Sequence, residues 1–171
     1  MIAGTGLTPD VVHDTIRCVH GGAQAEGRDS GEVNIWFTTR SSLDPDCDKA
    51  INEVRGSVSS ILNHSMRFSL EGKNLSDELR PLVQEYVDGY VLYEHVRNQG
   101  ENPRRMDALG LTDYALNRFA LAGNSADWIA RIESLAEAGV RRIWFGPGHH
   151  DLDRQIRDMT IFRDEIAPRF S

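Results

Sequence analysis

Residues 118–150 read RFALAGNSADWIARIESLAEAGVRRIWFGPGHH, and this stretch decides the fold. Ser125 is a good helix N-cap, and Asp127 puts a carboxylate in the first turn, where the helix dipole favours negative charge. Trp128, Ile129, Ile132, Leu135 and Ala136 recur at three- and four-residue spacing and define one apolar face. Gly139 is the left-handed stop. Val140 to Phe145 is short, branched and aromatic, which reads as a buried strand, broken at Gly146-Pro147-Gly148. A helix that runs into a buried strand with a Gly-rich break at its C-terminal end is α/β architecture. In such folds ligands sit at the C-terminal ends of the strands.

Upstream, the same grammar recurs. Met1 to Gly6 reads as the end of a strand and its loop, followed by a helix that starts at Thr8-Pro9-Asp10, with proline at the first helical position. Val12, Ile16 and Val19 form its buried face. Val33 to Thr39 is a strand by composition, and Asp44-Pro45-Asp46 starts a second helix along Ala50, Ile51, Val54, Val58 and Ile61. Residues 63–110 lack that grammar and read as a helical insertion over the ligand end. Thr112 caps a short helix into Arg118, and residues 151–170 form a closing helix ended by Pro168. Three strands thus alternate with helices, the pattern of a (β/α) barrel. A full eight-stranded barrel needs about 250 residues, so the 171 present read as one domain, the C-terminal portion of such a barrel.

Composition narrows the function. The chain is 40% hydrophobic and 26% charged, with a net charge of −7, which argues against nucleic acid as a partner. No apolar run approaches the roughly 20 residues of a membrane span, and no signal-peptide pattern opens the sequence. Cys18 and Cys47 lack metal or redox spacing and fit a cytoplasmic setting. Cys47 falls in the first turn of a helix, where the dipole favours a thiolate; a buried inert thiol is the plainer reading. No metal site is expected.

Four segments carry a family resemblance: IAGTGLTPDVV (2–12), LDPD (43–46), residues 118–150, and DRQIRDMTIFRDEIAPRF (153–170). Their order and spacing resemble the C-terminal half of the luciferase-like monooxygenase superfamily. The likeness is greatest to its deazaflavin-dependent members, such as the methylenetetrahydromethanopterin reductases and the coenzyme-dependent glucose-6-phosphate dehydrogenases. The resemblance implies a TIM-type barrel that binds coenzyme F420, or alternatively FMN, and transfers a hydride to or from a small organic substrate. Members of the family carry about as much barrel again before this point, including most ring-holding and acid–base residues. No catalytic residue is therefore assigned here. A non-catalytic flavin-barrel relative, acting as a ligand- or partner-binding module, is the alternative. With unpaired strand edges expected, the chain should form homo-oligomers or associate with the missing barrel half.

Candidate site residues follow. Gly4-Thr5-Gly6, at a strand end before a helix start, suits an anionic part of the cofactor, the alternative being a tight turn. Arg118 matches an arginine that faces the substrate phosphate in the sugar-phosphate dehydrogenases; the alternative is a structural ion pair. His95 stands where those enzymes carry a basic–histidine pair, but Glu94 replaces the lysine and disfavours a phosphorylated substrate. Arg40 follows the second strand on the functional rim, and His149 and His150 follow the Gly-Pro-Gly break on the same rim. Adjacent histidines diverge, so at most one lines a pocket. Trp36 and Trp144 read as core residues.

Overall fold

Eleven regular elements alternate along the chain in the computed structural model, which describes residues 1–149 and 151–170. In order they are β1 (Ile2–Ala3), α1 (Pro9–Ala25), β2 (Trp36–Leu43), α2 (Cys47–Met66), α3 (Leu79–Asp88), α4 (Glu101–Ala108), α5 (Thr112–Phe119), β3 (Ala120–Gly123), α6 (Ser125–Glu137), β4 (Ile143–Pro147) and α7 (Leu152–Ile161). The architecture is α/β with a wholly parallel sheet, as the residues 118–150 demand.

The sheet has four strands among the described residues, not three. The extra one is β3, hidden because Ala120-Leu121-Ala122-Gly123 is short and carries no β-branched or aromatic residue. Its pairing also shifts β2. Val33 to Ile35 follow a tight 3-10 turn, and the strand instead runs on through Arg40, Ser41, Ser42 and Leu43. Arg40, Ser41 and Ser42 lack the β-branched or aromatic side chains that favour strands, and they hold strand conformation with Leu43 because all four register against Ala120–Gly123. β2 is thus central. Its first residues pair with β1 and its last with β3, while β4 takes Phe37–Ser41. β4 itself spans Ile143–Pro147, so Gly146 and Pro147 belong to the strand.

Helix starts shift by a residue or two. The cap of α6 is Asn124, not Ser125, and it forms a capping box with Asp127. Asp46 caps α2, which frees Asp44 for another role. α2 also runs on to Met66, past the expected start of the insertion.

Three apolar clusters hold these elements. Val54, Val58 and Leu62 of α2 meet Tyr86 and Met106 of the insertion and Leu111 just after it. Ala3, Leu7, Val12, Phe37 and Leu135 join β1, α1, β2 and α6. Leu43, Leu121, Trp128 and Ile166 close the remaining side. The closing segment is a single helix only to Ile161, with a π-type turn and a 3-10 turn after it, and α7 buries no residue.

Candidate functional site

The β1–α1 loop is clasped from behind by two arginines. Arg118, 3% exposed, donates from Nε and Nη2 to the Thr5 carbonyl at 3.2 and 3.1 Å. Its Nη1 donates to the Lys73 carbonyl and to the Tyr114 hydroxyl, at 2.6 and 2.7 Å. In return the Arg118 carbonyl accepts from the Leu7 amide. Arg131 donates to the carbonyls of Leu7 and Asn117. The expected structural ion pair is not what holds Arg118: every acceptor is neutral. Nor does its guanidinium face a ligand, because it is buried under the loop that it holds. Gly6 is glycine for the same reason. Its φ is +124°, and a Cβ there would lie 2.6 Å from Arg118 Cγ. What the loop leaves exposed is Gly4 and Thr5, with the Thr5 hydroxyl bonded to that of Thr15 at 2.8 Å.

At the C-terminal ends of β2 and β4 lies a charged network that sequence patterning missed. Asp44, 5% exposed, accepts from Lys49, Arg154 and Arg157 at 3.0, 2.8 and 3.3 Å. Burial raises its pKa, but the Asp46 amide, Lys49 and Arg154 more than offset that and hold it at about 2. Arg154 also pairs with Glu53, which accepts from the Ser42 hydroxyl. The signal was present in Asp44-Pro45, an acid before a proline with no capping duty left once Asp46 caps α2. His149 joins this rim: Nε2 meets Asp158 at 3.1 Å, while Nδ1 is buried without a partner. His150 lies outside the described residues.

The other candidates are dispersed. His95 is exposed, its Nδ1 bonded to the Tyr90 hydroxyl at 2.8 Å. Arg40 is not beyond the strand but in the middle of β2, opposite Ala120 on one side and Gly146 on the other. Of the sequence-chosen residues that are described, Thr5 and Gly6 lie against Arg118. Cys47 opens α2, with Sγ accepting from the Asn124 amide and lying 3.2 Å from Asp127.

A groove of about 880 Å³ lies beside β4, beneath α7. Trp36, Trp128, Trp144, Phe145 and Phe162 line it, so all three tryptophans of the chain face one space. Trp36 and Trp144 are therefore not core residues; they are 43% and 55% exposed. Trp36 shares with Thr38 and, across the register, with Trp144 the more exposed face of the sheet. Groups of three or more metal-ligating side chains are absent among the described residues, as are helices long and apolar enough to cross a membrane.

Parallel strands joined by helices, with loops and charged groups gathered at the C-terminal strand ends, define a TIM-type (β/α) barrel segment. No family model matches the chain. Over 151 residues, 87% of its length, it is 27% identical to the 5,10-methylenetetrahydromethanopterin reductase of Methanopyrus kandleri. The fold superposes on that of the coenzyme F420 dependent tetrahydromethanopterin reductase from Methanopyrus kandleri with a TM-score of 0.64, at 21% identity over 97% of this chain and 44% of that one. It also superposes on an F420-dependent secondary alcohol dehydrogenase solved with an F420-acetone adduct, with a TM-score of 0.57 and 19% identity, over 97% of this chain and 41% of that one. The likeness to the reductase is thus one of both sequence and fold, and that to the alcohol dehydrogenase is one of fold. It spans 39% of the length of the curated reductase that it matches.

Proposed function

We propose that this chain is part of a coenzyme F420-dependent oxidoreductase, which moves a hydride between the deazaflavin and a small organic substrate. The observation that carries the reading is the 151-residue match to a reductase, which agrees with the superposition on two F420-dependent enzymes. FMN is the alternative carrier.

The residues present fit such a cofactor in part. Gly4 and Thr5 are exposed at the end of β1, and a Cβ on Gly4 would meet nothing closer than Thr38 Cγ2 at 3.5 Å, so a ligand edge has room against the backbone. Gly6 does not fit that role, because its missing side chain makes room for Arg118. The deazaflavin, when bound, supplies the hydride acceptor and donor. This chain's contribution is position: Arg118 and Arg131 fix the Thr5 and Leu7 carbonyls, and with them the loop that the cofactor edge would meet. His95 and His149 are substrate-side candidates, and of the two His95 offers an exposed ring. An acid–base residue is not assigned.

Association belongs to the same proposal. Trp144 is exposed on β4, whose second edge is open among the described residues, and Ile2 and Trp36 are exposed on β1 and β2, which supports pairing between copies of this chain or with further barrel strands. The two free cysteines support a cytoplasmic setting.

The test is a titration of the chain with F420 and with FMN, followed by cofactor fluorescence, then by addition of small alcohols or ketones to the complex. F420 binding with substrate-dependent change of its redox state is the expected result. Binding without turnover by any substrate favours the ligand-binding module, and binding of neither carrier overturns the proposal.

A further inference from the structure

Arg40 has a guanidinium that nothing among the described residues takes. It sits half-buried in the middle of the sheet, and its side chain makes no hydrogen bond and no ion pair among the described residues. Its Nε is cut off from water and unpartnered. The acids of the neighbouring rim are already committed: Asp44 to Lys49, Arg154 and Arg157, and Glu53 to Arg154 and Ser42. A cation taken partly out of water without an opposite charge is unfavourable, so the arrangement is complete only with an anion.

The ground around it is open. Strand alternation puts Trp36, Thr38 and Arg40 on one face of β2. Across the register, Trp144 stands opposite Thr38 and Gly146 opposite Arg40. The guanidinium lies over Gly146, where a Cβ would come within 2.9 Å of Nη1. Gly4 flanks Thr38 on the β1 side, with only Thr38 Cγ2 near its bare α-carbon. Two glycines thus leave a shallow floor around a hydroxyl and a guanidinium, with two exposed indoles on the same face.

We propose that Arg40, assisted by the Thr38 hydroxyl, seats an oxyanion, the carboxylate or phosphate of a small-molecule ligand whose body lies against Trp36 and Trp144. A planar guanidinium matches either group through paired N–H donors. This site does not rest on the hydride-transfer reading, because binding is measured without the deazaflavin.

The experiment titrates inorganic phosphate and, separately, acetate into the chain, with chloride holding ionic strength constant. Tryptophan emission and thermal midpoint are the two readouts. We expect a saturable change of both with at least one of the two anions, and the responsive anion identifies the ligand group. Arg40→Met should weaken that response by at least about tenfold. Without either anion Arg40→Met should be no less stable than the parent, because it removes a cation that has no partner among the described residues. Three results would overturn the site: no response to either anion, an unchanged response in Arg40→Met, or marked instability of Arg40→Met in anion-free buffer. The last would mean that Arg40 already has a partner within the protein.

Discussion

Arg118→Ala separates a residue that builds the site from one that touches ligand. The substitution removes four donations, two to the Thr5 carbonyl and one each to the Lys73 carbonyl and the Tyr114 hydroxyl. Hydrogen bonds from a charged donor are worth about 1.5–3 kcal/mol each, and a buried acceptor left alone costs about 1–3 kcal/mol. Against that stands the relief of a buried cation that no carboxylate neutralises. Two carbonyls and part of a buried aliphatic stem are left without contacts, and the net loss should be about 3–5 kcal/mol, within the upper tail of single substitutions. At roughly 2–4 °C per kcal/mol for a chain of this size, the thermal midpoint should fall by about 6–20 °C. Urea unfolding of the ligand-free protein, followed by circular dichroism, is the assay. Arg118→Lys should recover only a part, because an ammonium cannot span Thr5 and Lys73 together. If ligand-free stability were unchanged and only ligand affinity dropped, the arginine would be facing a ligand and the clasp described here would be wrong.

Other outcomes follow from the same geometry. Gly6→Ala should destabilise by several kcal/mol, since it strains a φ of +124° and drives a methyl into Arg118; a melting curve matching the parent's would contradict it. Asp44 has a folded pKa of about 2 against an ordinary 3.8, so its contribution, about 2 kcal/mol, is complete above pH 4. That contribution is lost as the pH falls through the folded value. Asp44→Asn should therefore flatten the stability profile between about pH 4 and 2, and an unchanged slope would remove the network from the account. Leu135→Ala should cost about 2–5 kcal/mol, whereas Glu133→Ala on the exposed side of α6 should cost under about 0.5 kcal/mol. Equal losses would mean the faces are assigned wrongly. Sedimentation should show self-association at micromolar concentration, and a stable monomer would count against the open β4 edge as a pairing surface.

What was legible in the sequence was whatever local chemistry dictates. Thr8-Pro9 and Gly139 mark helix ends, and Trp128 and Leu135 mark the buried face of α6, because caps, stops and periodicity act over a few residues. β3 was not legible, since Ala120-Leu121-Ala122-Gly123 is a strand only through its pairing with β2. The same distant pairing moved Arg40 from the rim into the sheet. Arg131 falls outside the apolar face read for α6, yet it bonds carbonyls of Leu7 and Asn117, so removing it should cost more than a surface change. Trp36 and Trp144 have the composition of core residues, yet they stand on the more exposed face of the sheet. The pairing of Thr5 with Arg118 was anticipated as a shared rim, though its physical sense is inverted: the cation grips the backbone rather than a ligand.

β2 registers with all three other strands, and each partner comes from far along the chain: Trp36 against Ile2, Arg40 against Ala120, Phe37 against Ile143. Closing such loops must precede any gain from the contacts they bring, so folding rate should be governed by this strand. β1 and β3 cannot dock on each other, and β4 has no second neighbour among the described residues, so no part of the sheet nucleates without β2. Refolding should therefore be slow for the size of the chain. Truncations along Phe37 to Leu43 should retard the refolding arm of a chevron, whereas changes on α7 should act on the unfolding arm.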